Sequence, residues 1–131
     1  MSRVSQVPLA LTPGLSLANG VAIDTYLNPL LYREVFCADI SPETAAAMAA
    51  SQRPITLTGL LEGAKETAWR TIPSWYLVAQ NDRAIPPDVE RTMARRAGSH
   101  TVEIASSHAA MVSNPGPVAD LIRSAATQTA G

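Results

Sequence analysis

Two residues in the second half of the chain combine side chains and surroundings suited to proton transfer. Asp82 follows the apolar run SWYLVA, and His108 follows the run TVEIA. A histidine can take up and return a proton near neutral pH, and a neighbouring carboxylate can orient its ring and stabilise the imidazolium. The pair therefore predicts the acid and the general base of a hydrolytic triad.

The residues around this pair predict alternating strands and helices. SWYLVA (Ser74–Ala79) is a continuous apolar run, which is typical of a strand in the middle of a parallel sheet. A proline pair at positions 86 and 87 starts a helix that Gly98 ends, and TVEIA (Thr101–Ala105) predicts a second strand. In such a βαβ unit, functional side chains gather beyond the carboxyl ends of the strands. We therefore expect the carboxylate and the imidazole to lie close together.

The helices of this unit should each bury an apolar stripe. For the first helix the spacing predicts a buried face of Val89, Met93 and Ala97. A last helix begins at Asn114-Pro115, and its tail from Thr127 to Gly131 should fray. Its predicted buried stripe is Val118, Leu121, Ile122 and Ala125.

The first seventy residues predict less regular structure. Residues 1–27 carry prolines and glycines between short apolar runs, which predicts an irregular, extended opening segment with a short strand at Val21–Tyr26. Residues 28–70 predict a helical cap with no strand between its helices. Its three short helices are Pro29–Cys37, a helix capped by Ser41 that runs to Ala50, and Pro54–Leu61. Residues 71–131 then hold the two strands and two helices of the core.

Neither candidate nucleophile in the chain has the surroundings that the role requires. Ser16 lies in GLSLA, a near match to the nucleophile elbow G-x-S-x-G, but a proline precedes the motif and Asn19-Gly20 follows where a helix should run. We expect Ser16 not to be a nucleophile. Cys37 has Glu34 and Asp39 as its nearest charges, and acidic neighbours do not activate a thiol. We expect Cys37 to be a buried structural thiol.

The composition excludes several classes of function. Hydrophobic residues make up 47% of the chain, as in globular proteins, and the net charge is −1 with the basic residues scattered. No basic patch marks a nucleic acid or an anionic membrane as a partner. The single cysteine excludes an internal disulfide, and no apolar run is long enough to span a bilayer. With no signal-peptide pattern at the N-terminus, a cytoplasmic location is expected.

Two local patterns resemble a known family. Asn81-Asp82-x-x-Ile85-Pro86-Pro87, followed after a helix and a strand by Ser107-His108-x-x-Met111, is similar to the C-terminal part of the α/β-hydrolase fold. The branch that it resembles contains small esterase-like hydrolases related to plant methylesterases and hydroxynitrile lyases. The resemblance covers roughly residues 20–126 and includes the segments Phe36–Asp39, Met48–Pro54 and Ile72–Ala79.

The resemblance implies a triad in which Asp82 is the acid, His108 is the general base and a serine is the nucleophile. It also implies a small ester-like substrate that would contact Tyr32, Phe36 and Met111. It implies no cofactor and no metal ion. The fold class expected is α/β, with a helical cap segment followed by the β-α-β-α part of a parallel sheet.

The serine elbow and the oxyanion hole have no match in this sequence. We expect them to lie outside the chain, which would then be a fragment, a truncated product or the result of a misplaced start codon. Two strands without their sheet neighbours would fold poorly, self-associate through an exposed sheet edge or need the missing half of the fold.

Three functions remain open: an ester hydrolase, an inactive remnant or small-molecule binding module, and a hydroxynitrile-lyase-like enzyme. The lyase would need a lysine at the site, and the only lysine is Lys65, in a predicted cap loop.

Overall fold

An antiparallel hairpin opens the part of the chain that the structure describes. The computed structural model describes the backbone of residues 9–17 and 20–129 and the side chains of residues 23–129. The hairpin pairs β1 (Leu9–Leu17) with β2 (Gly20–Leu27), so the strand predicted at Val21–Tyr26 is confirmed. The prediction of irregular structure was wrong for β1. The proline at position 13 is tolerated because β1 is an edge strand and its register shifts directly after that proline.

The cap segment contains helices and one short strand. Its elements are α1 (Tyr32–Phe36), α2 (Pro42–Ser51), β3 (Ile55–Thr56), α3 (Leu57–Leu61) and a 3-10 turn at Ala68–Arg70. Ser41 caps α2 as predicted, because its Oγ accepts the N–H of Thr44 at 3.2 Å.

Two of the predicted cap helices differ from the observed ones. The first starts three residues later than predicted, at Tyr32, because residues 29–31 form a turn in which the Asn28 side chain accepts the N–H of Leu30. The third starts at Leu57, since β3 pairs antiparallel with β2 and the Thr56 side chain caps the helix. The pairing of β3 with a distant strand is a tertiary effect that local sequence signals do not contain.

The predicted βαβ unit is present in the second half of the chain. It consists of β4 (Trp75–Ala79), α4 (Pro87–Ala97) and β5 (His100–Ile104), and the two strands pair in parallel from Trp75↔His100 to Ala79↔Ile104. Gly98 ends α4 in the left-handed conformation, with φ of 64°.

The buried face of α4 lies one position from the predicted one. Glu90 and Ala94 are buried, whereas Val89 is 47% exposed and Met93 and Ala97 are half-buried. The reason is a polar contact, because the Glu90 carboxylate accepts the N–H of Ala79 at 2.9 Å. This hydrogen bond compensates for burying a charged residue type that normally faces solvent.

Two helices follow β5, namely α5 (Ala110–Ser113) and α6 (Pro115–Thr129). Helix α6 begins at the predicted proline, packs against β4 and remains helical to Thr129, which is beyond the residue where fraying was predicted to begin. Its predicted stripe is only half-buried, and Ile122 is 64% exposed. The physical reason is that the described sheet beneath α6 has only two strands, too few to cover a helix of 15 residues.

The main cluster of buried residues joins the cap to the loop after β5. Its members are Tyr32, Cys37, Ile40, Ala45 and Ala109, with Leu27, Phe36, Met48 and Ala49 packed around them. Because Ala109 follows His108 directly, this cluster fixes the loop that carries the predicted general base. Within the described residues, no helix has the length and hydropathy needed to cross a membrane.

Candidate active site

Asp82 and His108 are in contact, as the sequence predicted. Asp82 Oδ2 lies 2.6 Å from His108 Nδ1. The two loops that carry them are held side by side, because the N–H of Gln80 donates to Ile104 and the N–H of Asn81 donates to Ser106. The parallel register of β4 and β5 thus continues into the loops and brings the carboxylate to the ring.

The Asp82 carboxylate is fixed by the turn that follows it. Its Oδ1 accepts the N–H of Ala84 at 2.6 Å and the N–H of Ile85 at 2.9 Å. Its side chain is 0% exposed. One oxygen therefore binds the backbone and the other binds the imidazole, an arrangement in which the carboxylate orients the ring.

His108 is accessible on one side and supported on the other. Its side chain is 30% exposed, and its ring packs at a tilt against Phe36 with 4.6 Å between centroids. The N–H of Ala109 donates to the carbonyl of Phe36 at 3.1 Å, which ties the loop to α1. With Nδ1 bound to Asp82, Nε2 is the nitrogen left to exchange a proton with another group.

Asp39 holds the loop directly before His108. Its carboxylate accepts the N–H of Ser107 at 2.9 Å, and the hydroxyls of Ser107 and Ser106 also donate to it. Partial burial alone would raise the pKa of Asp39, but hydrogen bonds from Ser107, Ser113 and the Asp39 backbone together outweigh burial and lower that pKa. The sequence placed Asp39 beside Cys37 and in the segment Phe36–Asp39, but it did not indicate this role. Its partners are 67 and 68 positions away, so no local signal identified them.

Glu90 is a second residue that the sequence reasoning missed. It is 6% exposed and lines a cleft of about 210 Å³ together with Leu77, His108 and Met111. Burial raises the pKa of the Glu90 carboxyl, the hydrogen bond from the Ala79 N–H opposes that rise, and the nearby Asp82 charge adds to it. The sequence would have indicated Glu90 only if the buried face of α4 had been placed one position later, on Glu90 and Ala94.

A larger cleft lies on the Phe36 side of His108. Its volume is about 490 Å³, and Tyr32 and Phe36 both line it. Tyr32 is 6% exposed and also belongs to the core cluster. Met111 is 59% exposed and lines the smaller cleft instead. Tyr32 and Phe36 thus line the larger cleft and Met111 lines the smaller one, and His108 lines both.

Comparison with known proteins identifies the family. A family model described as "Alpha/beta hydrolase family" matches residues 2–121. This chain belongs to the alpha/beta hydrolase family. It is 33% identical over 98 residues to the alpha/beta hydrolase nvfD of Aspergillus novofumigatus (strain IBT 16806), which corresponds to 72% of this chain and 38% of nvfD.

Solved structures show the same fold. The crystal structure of polyneuridine aldehyde esterase matches with a TM-score of 0.75 at 16% identity, covering 95% of this chain and 51% of the esterase. The structure of a mutant of that esterase matches with a TM-score of 0.74 at 15% identity and the same coverage. The predicted fold class, part of an α/β-hydrolase fold, is confirmed. The chain spans about half the length of the esterase and 38% of nvfD.

Ser16, Cys37 and Lys65 are the other residues considered for chemistry in this alpha/beta hydrolase chain. Ser16 pairs with Val21 in the hairpin, so a strand follows where an elbow requires a helix, and its side chain lies outside the described residues. Cys37 is 0% exposed, as predicted. Burial raises the pKa of its thiol, Arg33 lowers it and Asp39 raises it. Lys65 is exposed in the loop after α3 and is not among the residues that line either cleft.

Proposed function

We propose that Asp82 and His108 are the acid and the general base of a serine hydrolase that acts on carboxylic esters or similar small molecules. The observation that carries the proposal is the 2.6 Å contact between Asp82 Oδ2 and His108 Nδ1, with the carboxylate buried and the ring partly exposed. In this role His108 takes the proton of the nucleophile and returns it to the leaving group, while Asp82 stabilises the imidazolium. The fold that the chain shares with polyneuridine aldehyde esterase supports ester hydrolysis.

The nucleophile in this proposal is a serine outside residues 1–131. The serines nearest to His108 in sequence have other roles. Ser106 and Ser107 are 0% and 2% exposed, and their hydroxyls donate to Asp39. The hydroxyl of Ser113 is in contact with that of Ser106. These bonds hold the loop and leave no hydroxyl directed to the general base.

A second candidate is a small-molecule binding module that performs no reaction. The observation that favours it is the cleft of about 490 Å³ beside His108, which is lined by apolar and aromatic side chains with a few polar groups among them. The lyase alternative has less support, since it needs a lysine at the site and Lys65 does not line the cleft.

The test uses a polypeptide in which the coding sequence upstream of the Met1 codon is translated in frame with residues 1–131. In that polypeptide, His108→Ala and Asp82→Asn should each lower kcat/KM for an aryl ester by about 10³-fold or more. His100→Ala is the matched control. It changes the same residue type on β5, where His100 stacks on Trp75 away from both clefts, and should leave the rate within about twofold.

The chain of residues 1–131 by itself should not turn over the same ester. Retained activity in His108→Ala would exclude the assigned base. Turnover by residues 1–131 that disappears in Ser16→Ala would show that the nucleophile lies within them. Binding of esters without turnover in the longer polypeptide would favour the binding module.

A further inference from the structure

The cleft beside His108 has apolar and aromatic walls. Among the residues of 23–129 that line it, Arg53 is the only arginine, lysine, aspartate or glutamate. The remaining lining residues are Thr25, Tyr26, Leu27, Tyr32, Phe36, Gln52, Ile55, Leu60 and His108. A cleft of this kind binds an apolar body and orients it through a few polar groups.

The backbone on both sides of Arg53 is anchored to β2. The Gln52 side chain bonds both backbone groups of Leu27, donating from Nε2 to the carbonyl and accepting the N–H at Oε1, each at 3.0 Å. Ile55 pairs with Thr25, whose Oγ1 donates to the Ile55 carbonyl at 2.7 Å. These bonds fix the backbone on both sides of Arg53, an exposed residue that lines the cleft.

The guanidinium of Arg53 has no carboxylate partner within 4.0 Å among the side chains of residues 23–129. Of the seven other arginines in this segment, three have a carboxylate partner and four do not: Arg83 pairs with Glu34, Arg91 with Asp88 and Glu103, and Arg123 with Asp120. Because Arg53 lines the cleft, its planar guanidinium can bind, in bidentate geometry, a carboxylate that enters with the substrate.

We propose that the cleft binds esters that carry a free carboxylate at the end remote from the ester group, as in monoesters of dicarboxylic acids. The Arg53 guanidinium binds this carboxylate, the aromatic and aliphatic walls contact the chain between the two groups, and the ester carbonyl lies towards His108. The inference rests on the proposed function, because it takes the cleft as the substrate site.

The test measures binding to residues 1–131 and does not need turnover. The probes are the monomethyl esters of succinic, glutaric, adipic and pimelic acids. Their matched neutral controls are the same methyl esters with the carboxylate replaced by a carboxamide. Dissociation constants come from titrations that follow the His108 ring resonances by NMR. At the best-fitting length, the acid should bind about fivefold tighter than the amide, the range expected for a partly solvated ion pair.

Variants assign the preference to Arg53. Arg53→Gln should reduce the ratio of acid to amide affinity to about one, and Arg53→Lys should keep part of it, because the charge remains but the bidentate geometry is lost. The matched control is Arg70→Gln, an exposed arginine outside this cleft, which should keep the full ratio. Raising the salt concentration to about 0.5 M should also reduce the ratio in the parent chain.

The outcomes separate this inference from the proposed function. If acids and amides perturb His108 with equal affinity, or if the preference persists in Arg53→Gln, the assignment to Arg53 is wrong and the cleft remains the substrate site. If no ester perturbs the His108 resonances at any length, this inference is wrong, whereas the proposed function is decided by the loss or retention of activity in His108→Ala of the longer polypeptide.

Discussion

Glu90 is a buried ionisable residue that lines one of the two clefts beside His108. Its carboxylate is buried beneath the loop of Asp82 and accepts the N–H of Ala79, the last residue of β4. Burial raises its pKa in the folded protein, so between the ordinary glutamate pKa and this higher value the folded chain binds more protons than the unfolded chain. Stability contributed by Glu90 is therefore fully present below the ordinary pKa and is lost as the pH rises through the folded pKa.

Replacing Glu90 should separate its charge from its hydrogen bond. Glu90→Gln keeps an oxygen for the Ala79 N–H and removes the titration, so the free energy of unfolding should fall less with rising pH above the ordinary glutamate range. Glu90→Ala leaves the N–H without a partner and should lower the unfolding free energy by about 2 kcal/mol below the ordinary glutamate pKa, and this difference should shrink as the pH rises because the variant also lacks the titration. Urea unfolding followed by tryptophan fluorescence, at several values between about pH 4 and pH 8, measures both effects.

The control is Glu62→Gln, the same substitution at an exposed glutamate. It should reproduce the pH dependence of the parent chain. If Glu90→Gln also reproduces it, the burial of Glu90 does not control stability in this pH range.

Among the elements, the connection from α1 to α2 is bonded to the loop that carries His108. Asp39 lies in this connection and binds Ser106 and Ser107, and the Phe36 carbonyl binds the N–H of Ala109. Burial raises the pKa of Asp39, but its hydrogen bonds, chiefly those from Ser107, together outweigh burial and lower that pKa. Its contribution to stability is therefore present above the ordinary aspartate pKa and is lost as the pH falls through the lower, folded pKa.

Asp39→Asn should weaken this connection at neutral pH. The amide is uncharged and can accept fewer hydrogen bonds, so the free energy of unfolding should fall by about 1 kcal/mol, a value reduced for the exposure of the residue. The difference should shrink in acid, at about pH 3 and below, where the parent carboxylate also becomes protonated. Asp120→Asn is the control, an exposed carboxylate paired with Arg123. An equal loss of stability at neutral and acid pH would show that the Asp39 charge is not responsible.

The elements that the sequence predicted well are those with local signals. β4 and β5 came within one residue of their bounds because each is a short apolar run between turn residues, and α4 has prolines at its start and Gly98 at its end. The contact of Asp82 with His108 followed from parallel strand order alone. β3 and the partners of Asp39 were missed, because both depend on residues more than 25 positions away that a linear pattern does not contain.

At the scale of the whole molecule, the sheet of β4 and β5 has two open sides among the described strands. The N–H of His100 donates to the Ser74 carbonyl, so the alternation of a parallel ladder directs the N–H groups of Thr101 and Glu103 away from β4. On the β4 side, the terminal N–H of Ala79 is already bonded to Glu90. The first four residues of β5 are exposed, so β5 is the more accessible edge.

We propose that copies of the chain associate through the β5 edge, and Thr101→Pro tests this directly. Proline removes an N–H that β4 does not use and places a ring where a neighbouring strand would approach, so the fold should persist while association weakens. Sedimentation velocity at increasing concentration should show a larger fraction of monomer for Thr101→Pro than for the parent. Thr101→Val is the matched control, since it also removes the hydroxyl bonded to the Ser99 carbonyl but retains the N–H, and it should associate like the parent. Because the two variants differ in the backbone donor and in the proline ring, equal association of both would exclude the β5 edge as the contact.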